Sequence, residues 1–326
     1  MIDSSWHVKT ANRASSLLYS YVKKHLNGRY LLPVNVCPDV PLTLSLAGVS
    51  YDFVDISPDT LCMDEESCIE KLSRNDYAGV VYVRTYGVLF DTSLFFFRIK
   101  SAAHDTIIID DRCLCMPEEK PASYGADFIL YSTGHCKQID MGGGGYCLYS
   151  EEETLNLDET LYYDGTDEES IYKSAYAKGI RLAETPTGWL KVSRLKLPDE
   201  LYLSTIREQK GPRVRQREQL NEIYESQLPA DIQLPKCYQD WRFNIVVPPA
   251  LKDTILVDLF IAGLFASSHY HSVNRLFNDD AYANSDYLFG KIINLFNDFN
   301  YSEEKAILTC KIIRKRMDEF AALYSL

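Results

Sequence analysis

Basic residues are scarce relative to acidic ones in this sequence: 34 lysines and arginines stand against 46 aspartates and glutamates, a formal net charge of -12 at pH 7. Affinity for a phosphate backbone rests on clustered Lys and Arg, so nucleic acid is not an expected partner. Long apolar runs are also missing. The opening residues hold no apolar core of the signal-peptide kind, and the most apolar late segment, Ile255 to Ala266, is interrupted by Asp258 and too short to span a bilayer. The expectation is a cytoplasmic protein with no membrane partner. Paired CxxC knuckles are absent too. The nine cysteines are odd in number and scattered, which fits reduced thiols better than a disulfide framework. Cys113 and Cys115 form the closest pair, and without further ligands at fitting spacing they read as buried thiols on a strand or turn. Internal repeats and low-complexity tracts are lacking. What is present, 46% hydrophobic and 12% aromatic residues over 326 positions, is the composition of a globular chain of two domains or one large α/β domain.

The first two-thirds alternate short β-branched or aromatic runs with longer amphipathic stretches, the pattern of βαβ units building a mostly parallel sheet flanked by helices. Val80–Val83, Thr106–Ile109 and Asp127–Tyr131 are the clearest strands, and Asp91 to His104 is long enough for a crossover helix between the first two. Ser15 to Leu26 reads as an early helix ending at Asn27-Gly28, and Leu31 to Val36 as a further strand. Residues 151–170 are rich in Glu and Asp and read as a solvated excursion. A long helix is expected from Asp199 to Ser226, with the basic cluster Arg213 to Arg217 as a solvated face balancing the acidic chain and a phosphate or partner contact as the sharper alternative. An amphipathic Leu251 to Phe265 and a final helix from Ser302 to Leu323 complete a smaller C-terminal α+β domain. The expected division is a large α/β domain over 1–185 and a linking helix with the small domain over 186–326.

Three features stand in order: a strand ending in Asp110-Asp111, a strand ending in Ser132, and Lys137 followed by Gly142 to Gly145. In an open parallel sheet the C-terminal strand ends meet at one edge, where ligands bind. An amine there can bond a carbonyl carbon, and pyridoxal 5'-phosphate (PLP) needs such a lysine, an acid for its pyridinium nitrogen and donors for its phosphate. Lys137, Asp111 and Ser132 supply one of each. Side chains alternate along a strand, so only one of the two aspartates can face the site. Each residue also has a bland reading: the aspartates and Ser132 as turn residues, and the glycine run as a connection that matches neither a P-loop nor a dinucleotide fingerprint.

The order and spacing resemble the DegT/StrS family of PLP-dependent sugar aminotransferases, of the aspartate aminotransferase fold type. The resemblance runs through Leu31 to Pro38, Ala47-Gly48-Val49 with Phe53-Val54-Asp55, Tyr86-Gly87 and Asp91, Ile109-Asp110-Asp111, the stretch from Ser132 to Gly145, and His269-Tyr270. It implies that Lys137 bonds the cofactor, that Asp111 holds the pyridinium nitrogen, and that Ser132 binds the phosphate. Backbone amides around Ala14 and Ser15 then form the phosphate cradle, as suits a helix N-terminus. His269 and Tyr270 would touch the substrate.

The chain departs from the family pattern at several points. Cys37 stands where a ring usually stacks on the cofactor, Leu114 where a glutamine follows the aspartate, Ala11-Asn12-Arg13 where the cradle reads Ser-Gly-Thr, and Trp189-Leu190-Lys191 where a motif reaches the neighbouring subunit. Arg13 or Lys191 could supply a replacement cation. The activity implied by the resemblance is amino transfer from glutamate or glutamine to a keto sugar nucleotide for surface polysaccharide, in a homodimer. The rival reading keeps the fold as a non-catalytic, cofactor-poor binding or scaffold subunit.

Overall fold

The computed structural model describes residues 6–25, 28–74, 76–122, 125–150, 154–158, 168–182 and 190–324. Seven strands form the main sheet: β1 (His7–Ala11), β2 (Arg29–Pro33), β3 (Tyr51–Val54), β4 (Tyr77–Val83), β5 (Ile107–Asp111), β6 (Phe128–Ser132) and β7 (Gly145–Tyr149). Their order is β1-β7-β6-β5-β4-β2-β3, and only β7 runs antiparallel to its neighbours. The mostly parallel α/β sheet expected from the sequence is therefore present. Parallel strands need helical crossovers, and α1 (Ala14–Lys24), α2 (Asp39–Leu46), α3 (Glu65–Arg74) and α4 (Ser93–Ala102) supply them.

Alternation along the strands sorts the core into two faces. Ile109, Val81, Val83, Leu32 and Leu130 pack with α1 and α2 on one side, while Ile108, Val80, Tyr82, Leu31 and Ile129 pack with α3 and α4 on the other. Residues buried on both faces explain why the strands read as continuous apolar runs. Beyond the sheet lie α5 (Glu168–Lys178) and α6 (Asp199–Gln227), a 29-residue helix that continues through Pro212. A second sheet, antiparallel and of three strands, orders β8 (Phe243–Val246), β10 (Ile292–Leu295) and β9 (Ala266–Ser267). The helices α7 (Pro249–Ile261), α8 (Ala283–Phe289) and α9 (Glu303–Tyr324) accompany it. A third core, centred on Phe243, Ile245, Ile255, Ile293 and Leu295, holds this sheet to α7, α9 and the end of α6.

Several expectations change. The early helix spans Ala14 to Lys24, and the helix expected over 251–265 starts two residues sooner and ends at Ile261, with Leu264 turned into the core. The acidic stretch 151–170 is not all solvated loop: Leu155 is buried, and α5 starts at Glu168. The remainder, at 151–153 and 159–167, lies outside the described residues, as do Trp189 and the expected boundary at 185/186. The basic cluster is not a uniform solvated face either. Arg217 is only 5% exposed, because it shares the inward stripe of α6 with Leu220 and Tyr224 at helical spacing. Among the described residues, no helix is long and apolar enough to cross a membrane.

Candidate active site

The alternation that sorts the core also separates the two aspartates. Asp110 follows Ile108 onto the α3–α4 face, where it is fully buried between Arg84 and Arg112, accepting hydrogen bonds from Arg84 Nε and Nη2 at 2.8 and 2.9 Å and from Arg112 Nε at 2.9 Å. Asp111 follows Ile109 onto the α1–α2 face. Burial pushes its carboxyl up from the usual range, opposed by the backbone N–H of Cys113 at 2.9 Å, the Cys113 thiol and the charge of Lys137. A buried carboxylate with so little cationic compensation is suited to a ligand that brings a cationic N–H.

Lys137 sits on the turn leaving β6. Its N–H donates to Gly134 O at 3.2 Å, and Cys136 before it has a left-handed φ of 62°. Asp140 ties the turn together, accepting from Cys136 N at 2.9 Å and Gly142 N at 2.8 Å. The lysine charge bears on Asp111, Cys37, Cys113 and His269, so residues from three other stretches of sequence converge around one amine.

The glycine run connects this turn to the start of α1. Gly145 pairs with Ser132 on one side and Ala11 on the other, and a Cβ on it would meet Ala14 N at 2.7 Å. Only glycine lets the helix N-terminus lie this close to the sheet. Ser132, Arg13, Ala14 and Ser15 are thereby brought to one corner. No side chain caps α1 at Arg13, and its first turn carries no acidic residue, leaving a positive dipole end suited to a phosphate. Asn12, in the stretch where the family pattern has Ser-Gly-Thr, turns inward: its Nδ2 donates to Lys191 O at 3.1 Å, and its Oδ1 accepts from Ser16 Oγ at 2.8 Å. Lys191 thus meets the cradle through its backbone.

Cys37 follows β2, where burial and the neighbouring Asp39 push its thiol up to about 12 against the pull of Lys137. His269 and Tyr270 arrive from the second sheet. His269 N donates to Asn294 Oδ1 at 2.8 Å and its carbonyl accepts from Tyr86 OH at 2.5 Å. Burial, Arg242 and Lys137 push the His269 imidazole down to about 4, so it is neutral at physiological pH. Burial pushes the Tyr270 phenol up, with Cys37, Tyr176 and Asp111 as charged-form neighbours. Lys137, Asp111, Cys37, His269 and Tyr270 thus form one cluster, and Ser132, Arg13 and Ala14 meet at the glycine run that leaves the lysine turn.

Sequence reasoning missed three contributors. Tyr176 on α5 reaches His271 O at 3.2 Å beside Cys37. Trp241 donates Nε1–H to Cys136 O at 2.8 Å, and Arg217 reaches Lys137 O and Gln138 O at 3.3 Å each. The inward periodicity of 217, 220 and 224 was the available signal for Arg217; Trp241 carried none.

A family model described as the DegT/DnrJ/EryC1/StrS aminotransferase family matches residues 42–286. The chain belongs to this family. It is accordingly a PLP-dependent aminotransferase. No curated protein matches the sequence. Solved structures similar to this aminotransferase include the PMP form of Spr1654 from Streptococcus pneumoniae, a protein assigned as a sugar aminotransferase, with a TM-score of 0.73 and 16% identity over 96% of this chain and 88% of that one. PseC of Helicobacter pylori, an aminotransferase involved in pseudoaminic acid biosynthesis, gives 0.70 and 15% over 96% and 87%. DesI, solved in the presence of its TDP-sugar product, gives 0.73 and 15% over 98% and 83%. These neighbours share the fold. The site residues of this aminotransferase fit PLP on three counts: the buried Asp111, the N-terminus of α1 without a side-chain cap near Ser132, and the Lys137 amine whose charge bears on Asp111.

Proposed function

We propose that this aminotransferase moves an amino group from glutamate or glutamine to a keto sugar carried on a nucleotide, for surface polysaccharide synthesis. The observation that supports this reading most is the buried Asp111 carboxyl with the Lys137 charge acting on it. The fold neighbours handle sugars, DesI with a TDP-sugar product, and this chain aligns with nearly its full length to them.

PLP, when bound, supplies the aldehyde that Lys137 engages and the ring that withdraws electrons from the reacting carbon. Asp111 would hold the ring nitrogen protonated. The amides of Ala14 and Ser15, with Ser132 and Arg13, would bind the phosphate. Lys137 Nζ would carry the proton from one carbon to the other. His269, neutral near pH 7, and Tyr270 would line the substrate side and orient the sugar rather than exchange charge. The work divides accordingly, with residues 1–185 holding the cofactor and 186–326 closing the substrate side. The Lys137–Asp111 pair favours this reading over a scaffold role, since a binding subunit has no use for a buried carboxylate beside an amine.

The test is conversion of the PLP band to that of the amino-form cofactor on adding glutamate or glutamine, followed by amination of a panel of UDP- and TDP-linked keto sugars. Failure of every nucleotide sugar with an intact first half would remove the substrate class. Light scattering at micromolar concentration checks the homodimer; a monomer mass would refute it.

A further inference from the structure

Three consecutive carbonyls of the lysine turn are held from outside the main sheet. Trp241 Nε1 donates to Cys136 O at 2.8 Å, and Arg217 Nη2 donates to Lys137 O and Gln138 O at 3.3 Å each. Arg217 Nη1 turns the other way, to Trp241 O at 2.8 Å and Asn297 Oδ1 at 2.5 Å. One guanidinium therefore joins the turn carrying Lys137, the segment entering β8 and the segment leaving β10.

This is a costly arrangement for a residue that serves packing alone. Arg217 donates to three backbone carbonyls and one side-chain amide oxygen, and burial with Arg242 nearby pushes its pKa down to about 10 against the pull of Asp298 and Asp240. A buried cation whose direct bonds go to carbonyl oxygens, with Asp298 and Asp240 acting only through space, is incompletely compensated, and an aliphatic residue would fill the same inward position between Ile206 and Leu220 more cheaply. What an aliphatic residue cannot do is fix two adjacent carbonyls with a rigid planar fork. The turn needs fixing, because Cys136 occupies the left-handed region that non-glycine residues avoid and immediately precedes Lys137.

We propose that Arg217, assisted by Trp241, is a positioning residue that locks the turn bearing Lys137 onto α6 and the small sheet, so that the amine meets the cofactor and substrate carbons in one orientation. The inference rests on the reading of Lys137 as the reacting amine. Arg217 acts through the backbone of residues 137 and 138.

The experiment compares Arg217→Lys, Arg217→Met and Trp241→Phe with wild type, each loaded with PLP and supplied with whichever of glutamate or glutamine the wild type consumes. Borohydride trapping on the wild type comes first. A label on another lysine rejects the underlying reading of Lys137, whatever Arg217 does. With Lys137 labelled, Arg217→Met is expected to lower kcat for the first half-reaction by about tenfold to a hundredfold, with the KM of the donor within about twofold, and to slow covalent capture of PLP by the apo protein. Arg217→Lys should recover part of both rates, and Trp241→Phe should lose less in the same direction. Wild-type capture and kcat in Arg217→Met and Trp241→Phe, or a lowered thermal midpoint with kcat per folded molecule unchanged, would overturn the proposal. Should Arg217→Met fail to fold, the other two variants decide it on the same readouts.

Discussion

Arg84 grips Asp110 through two hydrogen bonds of 2.8 and 2.9 Å on the face of β5 opposite the one that Asp111 presents to Lys137. Adjacent, identical side chains thus have different jobs. Asp110→Ala would strand Arg84 and Arg112, both about 2% exposed, and a broken buried ion pair costs about 3–5 kcal/mol. Asp111→Ala should leave the fold intact and abolish transamination. Thermal denaturation and turnover measured on both variants would separate the roles. Loss of activity without loss of stability in Asp110→Ala would place the wrong aspartate at the cofactor.

Lys137 is expected to carry the cofactor. Borohydride treatment of PLP-loaded protein and peptide mapping should find the label on the peptide containing Lys137, and Lys137→Ala should bind PLP without the visible band of the covalent linkage. A retained band in that variant would move the assignment to another lysine.

Removing the charge of Asp111 should stabilise the apo protein while destroying its function. Burial raises the carboxyl pKa, so the folded chain holds its proton more tightly than the unfolded chain and stability falls as pH rises through the window between the two values. The penalty is fully present above the folded value. Asp111→Asn should therefore raise the apo melting temperature near neutral pH by about 2 °C, with no gain in acid below the unfolded value. Equal gains at pH 3 and pH 7 would mean that charge is not the cause.

With Cys37 as the proposed neighbour of the cofactor ring, the segment after β2 would offer that ring no aromatic partner. Cys37→Phe should tighten PLP binding by about 2- to 10-fold, the worth of a well-placed aromatic pair at about 0.5–1.5 kcal/mol. Titration of apo protein with PLP measures it. No change on introducing the ring would show that Tyr270 or Tyr176 already covers that face.

Much of this arrangement was legible because it is local. Val80–Val83 and the run to Ile109 announce buried parallel strands, and the Asp111, Ser132, Lys137 and Gly145 order states the chemistry, since each lies at or just beyond the end of an element. The helix α5 escaped notice because its apolar residues are split between outside and inside: Ile171 is exposed while Tyr172 and Ala175 are buried. Arg217 was misread for a different reason. A charge within a basic run looks solvated until the helix is placed, and its acceptors at 137, 138, 241 and 297 lie about 24 to 80 residues away along the chain. No window of sequence contains that relationship.

Among the described residues, β1 pairs with β7 alone, Ala11 opposite Gly145 and His7 opposite Tyr149. A chain made from its N-terminus must hold β1 unpaired until residues 145–149 have emerged from the ribosome. Such distant pairing slows folding and leaves an edge exposed meanwhile. The phosphate corner at Ala14 needs that same closure, because Gly145 is the surface against which α1 seats. Cofactor capture is therefore expected to report a finished sheet, and variants that weaken β7 should lose cofactor binding in step with their folding yield.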